Sequence, residues 1–221
     1  KKHPDAPVTI DKAEMATTAS AKLLSEEVLA FATTLAGEAD YWKPIQAGDL
    51  EHSDTHKVQD LISNTQSQFH PNSYALQTPA SPHLAAAKDG ITIDLNQIQE
   101  PQTKNHLVIE GAGGILVPLN ETQSVVDIIQ SDYKVIVVSR HYLGSINHTL
   151  LTVEALQNRK LSIAGIIFSG EENTSSEQII LNRTGVICIG RIGEEPYFDT
   201  NVIVEYADLF RENLLNLDNR Q

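Results

Sequence analysis

The sequence predicts an α/β fold with a mostly parallel sheet and helices on both faces. From Tyr41 onward, short runs rich in β-branched residues alternate with longer segments of helical pattern, which is typical of βα units. The run VIVV at 135–138 is apolar at every position, as expected of a central parallel strand that helices cover on both sides. The 221 residues, 41% of them hydrophobic, can bury one sizeable core, so a single domain over 1–221 is expected.

The predicted elements follow from these patterns in chain order. A short strand is expected at 7–10, followed by strands at 40–45, 106–110, 134–139, 163–168 and 186–190. The segment 13–36 is rich in Ala, Leu, Glu and Lys and contains neither Gly nor Pro, which predicts one long helix ending at Gly37. Further helices are expected at 53–64, 123–130, 144–158 and 202–216, and another begins at 81–83.

Charge and composition narrow the possible partners. With 16 basic and 29 acidic side chains the net charge is −13, which argues against nucleic acid and anionic membrane surfaces as partners. An acidic protein can still bind ATP, because local backbone N–H groups, lysines and a bound metal determine the electrostatic field at the binding site. The single cysteine, Cys188, lies in the apolar run VICIG and is expected to be a buried thiol in a reducing cytosol. The chain shows no membrane span or secretory signal, so a cytoplasmic location is expected.

Glu110 carries the first indication of chemistry. In the segment HLVIEGAGGILVPLN at 106–120, this carboxylate ends an apolar strand and glycines follow at once. Open α/β folds bind ligands at the carboxyl edge of the sheet, and glycines there let the backbone approach a ligand closely. The segment is therefore interpreted as the active-site strand and loop of an enzyme that handles a nucleotide phosphate and a divalent metal. The alternative is a tight turn with a solvated glutamate.

Lys43 and Asp54 are further candidates at strand and helix ends. Lys43, in YWKPIQAG, can place a point charge over the same sheet edge, although a surface lysine is the alternative. Asp54, in HSDTH, can be a Mg²⁺ ligand, because that ion prefers one or two carboxylates plus waters and phosphate oxygens. A helix cap by Ser53 or Asp54, or a transition-metal site using His52 and His56, remains open.

Two more helix starts carry polar residues. SPH at 81–83 and LGSINH at 143–148 each open a helix, and helix N-termini bind anions. Ordinary capping explains either one taken alone.

Taken in order, six segments resemble the dethiobiotin synthetase family from about residue 39 to about residue 215. They are YWKPIQAG, HSDT, TPASPHLAA, VIEGAGGILVPL, VIVVSRHYLGSINHTLLTVEAL and AGIIF. The resemblance implies a P-loop NTPase-like fold and a homodimer. It also implies carboxylation of 7,8-diaminopelargonate with CO₂ or bicarbonate, phosphorylation of the carbamate by ATP with Mg²⁺, and ring closure to dethiobiotin.

The resemblance also implies roles for individual residues. Lys43 would be catalytic and would stabilise the phosphoryl-transfer transition state, while Asp54 and Glu110 would hold Mg²⁺ against the phosphates. The nucleotide-binding set would be Asp54, Glu110, Gly111, Ala112, Gly113, Ser169, Gly170, Gly193, Glu194 and Glu195. The substrate-binding set would be Ala47, Gly114, Leu143, Gly144 and Asn147, with the 143–147 turn holding the substrate carboxylate across the dimer interface.

Three departures from the family pattern stand out. Family members begin with a strand and a glycine-rich phosphate loop ending in Gly-Lys-Thr, whereas no glycine precedes Gly37 here, so residues 1–38 are atypical. Lys22 stands at a similar place, but its neighbours are Ala21 and Leu23, and it is given no role. Ala47 replaces the usual hydroxyl residue, and Ser169 replaces an adenine-reading asparagine, which puts the base preference in doubt.

Three functions are therefore compatible with the sequence. The first is an ATP-dependent dethiobiotin synthetase. The second is a catalytically silent homologue that binds substrate or a partner but not ATP, which the missing glycine loop favours. The third is another P-loop-related amidoligase or regulatory ATPase-like domain, against which the SPH and LGSINH motifs argue.

Overall fold

The computed structural model describes residues 8–12 and 39–215, with side chains described for 39–211 and Asn213. Its strands are β1 (Val8–Lys12), β2 (Ala39–Trp42), β3 (Ile45–Ala47), β4 (Phe69–His70), β5 (Tyr74–Leu76), β6 (His106–Glu110), β7 (Lys134–Arg140), β8 (Ser162–Ser169) and β9 (Cys188–Ile192). Its α-helices are α1 (Asp54–Leu61), α2 (Pro82–Lys88), α3 (Ser145–Asn158), α4 (Thr174–Thr184) and α5 (Thr200–Leu215). Short 3-10 helices lie at Leu50–His52, Leu95–Gln97 and Val125–Ile128.

One parallel sheet organises the molecule. Its strand order is β4-β2-β6-β1-β7-β8-β9, and β3 pairs with β5 in a separate two-stranded sheet. The chain places its later strands on both sides of β1, so β1 marks the point where the direction of winding reverses. Open α/β sheets bind ligands at such a point, outside the carboxyl ends of the strands. The α/β class predicted from the sequence is confirmed.

The core lies on both faces of this sheet. On β7, Ile136 and Val138 pack with residues of α1 and α5, whereas Val135 and Val137 pack with residues of α3 and α4. Successive side chains of a strand point to opposite faces, so an entirely apolar strand is buried from both sides. This is the arrangement that the VIVV run predicts.

Two strand predictions need correction. The strand predicted at 40–45 is two separate strands, because the chain leaves the sheet at Lys43 and Pro44 before β3 begins. Pro44 has no N–H to donate to a strand ladder, which favours a break at this point. The last strand, predicted at 186–190, is observed two residues later as β9. The strand predicted at 7–10 is observed as β1.

The predicted helix at 123–130 is wrong as an α-helix. Only Val125–Ile128 is helical, and as a 3-10 turn. The N–H groups of Val125 and Val126 donate to the carbonyls of Val117 and Ile115, over 2.9 and 2.8 Å, so the segment is tied to the loop before it. Helices α1, α3 and α5 correspond to three of the other predictions, α2 is the helix predicted to begin at 81–83, and α4 was not predicted. The helix predicted at 13–36 lies outside the described residues.

The prediction of a buried Cys188 is wrong. This residue opens β9, the edge strand of the sheet, and its side chain is exposed. An apolar run at a sheet edge is covered on fewer sides than one at the centre. In the described part of the chain, no helix is both long and apolar enough to cross a membrane.

Candidate active site

Lys43 and Glu110 meet because neighbouring strands bring them into register. In the parallel pair of β2 and β6, Trp42 lies opposite Ile109, and Lys43 and Glu110 are the residues that follow them. Lys43 Nζ donates to Glu110 Oε1 over 2.6 Å. The two residues are only 5% and 1% exposed, so the alternatives of a surface lysine and a solvated glutamate are wrong.

Asp54 reaches the same place from the start of α1. Its carboxylate Oδ2 accepts from Lys43 Nζ over 2.6 Å. The helix start is held instead by Ser53 and His56: the His56 Nδ1 accepts from the Ser53 N–H over 3.2 Å and lies 2.9 Å from its Oγ. His56 is thereby engaged, and the described residues contain no group of three or more His, Cys, Asp or Glu that could hold a metal. A zinc site using His52 and His56 is therefore not supported.

The three side chains form a buried cluster of opposite charges. Burial alone would lower the pKa of Lys43, but the negative charges and hydrogen bonds of Glu110 and Asp54 outweigh it and raise that pKa above its usual value. The Lys43 ammonium is therefore charged at neutral pH. The second oxygen of each carboxylate is also engaged, since Tyr41 donates its hydroxyl to Glu110 Oε2 and Lys57 Nζ donates to Asp54 Oδ1 over 3.2 Å.

The glycine segment continues directly from Glu110. Gly113 has a φ of 85°, in the left-handed region that favours glycine, and Val117 donates its N–H to Gly114 O over 2.9 Å. A small cavity of about 20 Å³ lies next to Glu110, Gly111 and Ala112. The rest of its lining is mostly apolar and consists of Pro44, Ile45, Ile109, Val125, Ile128, Ile129 and Tyr133.

Known proteins with similar sequences identify the family. A family described as an AAA domain matches residues 17–201. The chain is 55% identical over 180 residues to the ATP-dependent dethiobiotin synthetase BioD of Christiangramia forsetii, which covers 81% of this chain and 87% of the relative. It is 47% identical over 192 residues to the ATP-dependent dethiobiotin synthetase BioD of Cytophaga hutchinsonii, and this alignment covers 86% of this chain and 91% of the relative. The chain belongs to the dethiobiotin synthetase family. The resemblance and the enzyme class predicted from the sequence are thus confirmed.

Solved structures share the fold at low sequence identity. A chain of the MinC:MinD cell division protein complex of Aquifex aeolicus aligns with a TM-score of 0.60 and 10% identity, over 98% of this chain and 97% of that one. A ParA family ATPase from Chlorobium tepidum TLS aligns with a TM-score of 0.54 and 11% identity, over 99% and 94%. At such identities the likeness concerns the fold alone, and the predicted P-loop NTPase-like fold is confirmed.

The candidate nucleotide residues of the dethiobiotin synthetase pattern lie along one edge of the sheet. Ser169 ends β8, is fully buried, and has an Oγ with no hydrogen-bond partner among the described residues. Gly170 follows with a φ of 100°. Gly193 follows β9 and donates its N–H to the Tyr206 hydroxyl over 2.9 Å, and that hydroxyl donates to Glu195 Oε1 over 2.6 Å. Glu194 and Glu195 are exposed.

The candidate substrate residues lie in two places. Ala47 ends β3 and Gly114 closes the glycine segment, and both are half-buried. Leu143 and Gly144 precede α3 and are exposed, and Asn147 is exposed in the first turn of that helix. The structure therefore brings Lys43, Asp54 and Glu110 into contact. It leaves Leu143, Gly144 and Asn147 on the surface.

Sequence reasoning missed Tyr41, Gln46 and Lys57. The signal for Tyr41 was available, because residues i and i+2 of a strand share a face and Lys43 follows at that spacing. Gln46 is buried beside Gly48, whose carbonyl accepts from its Nε2 over 2.9 Å, while its Oε1 has no partner among the described residues. Lys57 lies three residues after Asp54 on α1, a spacing at which helical side chains meet.

Proposed function

We propose that the chain converts 7,8-diaminopelargonate and CO₂ to dethiobiotin with ATP and Mg²⁺. The observation that carries this proposal is the buried cluster of Lys43, Asp54 and Glu110 at the sheet edge, next to the glycine segment. A charged lysine held between two carboxylates suits phosphoryl transfer, where catalysis is largely positioning and charge stabilisation. Membership of the dethiobiotin synthetase family names the substrate class.

The proposed reaction has three steps. One substrate amine adds to CO₂ and loses a proton, giving a carbamate. A carbamate oxygen then attacks the terminal phosphorus of ATP, the bond to the bridging oxygen breaks, and ADP leaves, so that a carbamic-phosphoric anhydride forms. The second amine attacks the carbonyl carbon, loses a proton and expels phosphate as the ring closes.

Lys43 supplies a fixed positive charge in this scheme. Because its pKa is raised, it remains an ammonium and cannot act as a base at neutral pH. A preorganised charge of this kind is worth most in a site that excludes water, where it stabilises the negative charge that develops on the transferred phosphoryl group. Lys43 is 5% exposed, which meets that condition.

Asp54 and Glu110 would hold the Mg²⁺ ion. Their donor chemistry suits it, since Mg²⁺ takes oxygen ligands and is usually bound by one or two carboxylates, with waters and substrate phosphates completing the octahedron. Both carboxylates are buried and face the same ammonium. When bound, the ion would neutralise phosphate charge, while the protein's part is to hold the two carboxylates in position.

The nucleotide would extend along the sheet edge from the charged cluster to the end of β8. β6 and β8 are separated by three strand steps, about 14 Å at the usual spacing between strands. Gly111, Ala112 and Gly113 would face the phosphates. Ser169 and Gly170 would lie near the base, and Gly193, Glu194 and Glu195 would border it from the loop after β9.

The substrate would be bound by Ala47 and Gly114 on one side and by the 143–147 turn of a second copy on the other. Leu143 is completely exposed and Leu151, further along α3, is 52% exposed. Apolar side chains that a single chain leaves uncovered before and along a helix are compatible with a homodimer that buries them. Asn147 would then contact the substrate carboxylate across the interface.

Product formation tests the proposal directly. The protein is incubated with diaminopelargonate, bicarbonate, Mg²⁺ and ATP, and dethiobiotin and phosphate are measured by mass spectrometry and colorimetry. We expect equal amounts of the two products, and neither above background when diaminopelargonate is omitted. The absence of dethiobiotin from the complete mixture would refute the proposed activity.

A catalytically silent homologue is the second candidate, and one observation favours it. No glycine precedes Gly37, so the glycine-rich phosphate loop of the family pattern is missing from the sequence. Without several inward-pointing N–H groups, a triphosphate has fewer partners. Calorimetry discriminates the two: micromolar binding of MgATP supports the enzyme, whereas binding of diaminopelargonate without MgATP supports the silent homologue.

A further inference from the structure

Lys57 is a second lysine on the carboxylate of Asp54. Its Nζ lies 3.2 Å from Asp54 Oδ1 and 3.9 Å from Asp49 Oδ2, while Lys43 Nζ occupies Asp54 Oδ2 at 2.6 Å. The Lys57 side chain is 32% exposed, against 6% for Lys43. Asp54 therefore joins a buried lysine on one oxygen to a partly exposed lysine on the other.

Stabilisation of helix α1 does not explain why Lys57 pairs with Asp54. The start of α1 is held by Ser53 and His56, whose ring nitrogen accepts from the Ser53 N–H. An ion pair between side chains three residues apart adds little to the stability of a helix. The more specific effect of Lys57 is on the charge of the Asp54 carboxylate.

The oxygens of both candidate metal ligands are occupied in this structure. Lys43 donates to one oxygen of Asp54 and one of Glu110, and the remaining oxygens accept from Lys57 and Tyr41. A divalent cation that binds these carboxylates must therefore weaken at least one of these contacts. Displacing Lys43 or Tyr41 would leave a buried polar group without its partner, which is costly.

Lys57 is the donor that can leave at the lowest cost. Its contact with Asp54 is the longest of these four, and its side chain is 32% exposed. Partly exposed ion pairs are weak, because water replaces the lost contact. Asp49, whose side chain is 42% exposed, is a second carboxylate within its reach.

We propose that Lys57 is an exchangeable counter-charge of the metal site: it pairs with Asp54 in the metal-free protein and leaves when a divalent cation binds. The inference rests on the metal site of the proposed function. Because the cation must compete with the Lys57 ammonium, the residue weakens metal binding and sets the concentration range in which the site fills.

Direct metal binding tests this role without relying on catalysis. Mn²⁺ is titrated into the full chain without nucleotide, and free Mn²⁺ is measured by its electron paramagnetic resonance signal. We expect Lys57→Gln to bind Mn²⁺ about two- to fivefold more tightly than the unaltered protein, the range expected from loss of a partly exposed ion pair. Lys57→Met, which keeps the aliphatic stem, should behave in the same way, and Lys57→Arg should restore the original affinity.

Lys104→Gln is the matched control, because it removes the same charge from an exposed site before β6, at the opposite end of that strand from Glu110. It should leave Mn²⁺ affinity unchanged. Equal affinity in the unaltered protein, Lys57→Gln and Lys57→Met, or the same gain in Lys104→Gln, would overturn the inference while leaving the metal site intact. No Mn²⁺ binding by any of these proteins would overturn the metal site of the proposed function, and the inference with it.

Discussion

Lys43 is the residue on which the candidate site depends most. Two carboxylates that would repel each other in the protein interior are held together by its single ammonium. A buried ion pair adds little net stability, but removing one partner leaves uncompensated charge and is strongly destabilising. Stability and activity are therefore linked at this residue.

Lys43→Met should lower both the stability and the activity of the protein. We expect the free energy of unfolding at pH 7 to fall by about 3 kcal/mol, because Asp54 and Glu110 lose their shared partner. Turnover should fall on the order of 100-fold or more, since a preorganised charge on the transferred group is lost. Urea unfolding and dethiobiotin formation measure the two effects, with Lys104→Met as the control. A variant that retains full turnover would exclude Lys43 from catalysis.

Asp40 makes the stability of the fold depend on pH. Burial would raise its pKa, but hydrogen bonds from Asn105, the Gln68 N–H and other neighbours, including His70, outweigh this and lower it below the usual 3.8. A carboxylate with a lowered folded-state pKa stabilises the protein above its unfolded-state pKa, and this contribution is lost as the pH falls through the folded-state pKa. Asp40 thereby ties β2 to β4 and to the loop before β6 more strongly when it is ionised.

Asp40→Asn should therefore destabilise the protein near neutral pH and matter less in acid. We expect a loss of about 2 kcal/mol at pH 7, the usual value of hydrogen bonds to a charged group. The difference between the two proteins should shrink as the pH falls below 3.8. Urea unfolding at a series of pH values measures this. A difference that stays constant from pH 7 to pH 3 would mean that the charge of Asp40 does not contribute.

Residues at strand ends could be predicted from the sequence, whereas their neighbours were harder to predict. A polar residue that interrupts an apolar run, as Lys43 and Glu110 do, marks the edge of the sheet. Gln46 and Lys57 carry no such mark, since their importance depends on which atoms surround them. The exposure of Cys188 could not be read from its apolar run, because it depends on β9 being the edge strand.

At the scale of elements, the turn after β3 connects the candidate site to the loop before α2. Gly48 has a φ of 75°, and a Cβ built on it would lie 2.5 Å from Pro79 Cα. Its N–H donates to Leu76 O over 2.8 Å. Both the backbone conformation and the close approach of Pro79 require glycine here.

Gly48→Ala should be more damaging than Gly90→Ala. Gly90 has a similar φ of 70° but nothing within 4 Å of its hypothetical Cβ, so its variant should cost only the conformational term, about 1 kcal/mol. Gly48→Ala adds a backbone clash and should cost roughly 2 to 4 kcal/mol. Thermal or urea unfolding of these two variants separates the conformational cost from the cost of the clash with Pro79. Equal losses in both variants would show that Pro79 moves aside freely.

Long elements could be predicted, and short ones could not. Strands β6, β7 and β8 have enough apolar positions for their period to be visible in the sequence. β4 and β5 contain two and three residues and are defined by their partners rather than by a pattern. The segment 123–130 has apolar residues at helical spacing, but hydrogen bonds from Val125 and Val126 to the preceding loop tie it down as a 3-10 turn.

At the scale of the whole molecule, the sequence gives the class of fold but not the strand order. A run of βα units predicts a parallel sheet, yet which strands become neighbours depends on contacts between distant segments. The pairing of β2 with β6 joins residues more than sixty positions apart, such as Tyr41 and Val108, and it is this pairing that brings Lys43 to Glu110.

The proposed homodimer would cover apolar surface that one chain leaves exposed. Leu143 is fully exposed where the chain enters α3, and burying it against a second copy would remove this apolar surface from water. We therefore expect the protein to sediment as a dimer, at twice the 24.3 kDa of one chain. Leu143→Glu should shift it toward the monomer, because a charge buried in an interface is costly.

Leu209→Glu is the matched control, because Leu209 is 68% exposed on α5 and lies outside the 143–147 turn. It introduces the same charge and should leave the dimer intact. If the interface also completes the substrate site, Leu143→Glu should raise the KM for diaminopelargonate while the affinity for MgATP stays unchanged, since the proposed nucleotide residues all lie in one chain. A monomeric unaltered protein with full activity would show instead that one chain is sufficient for catalysis.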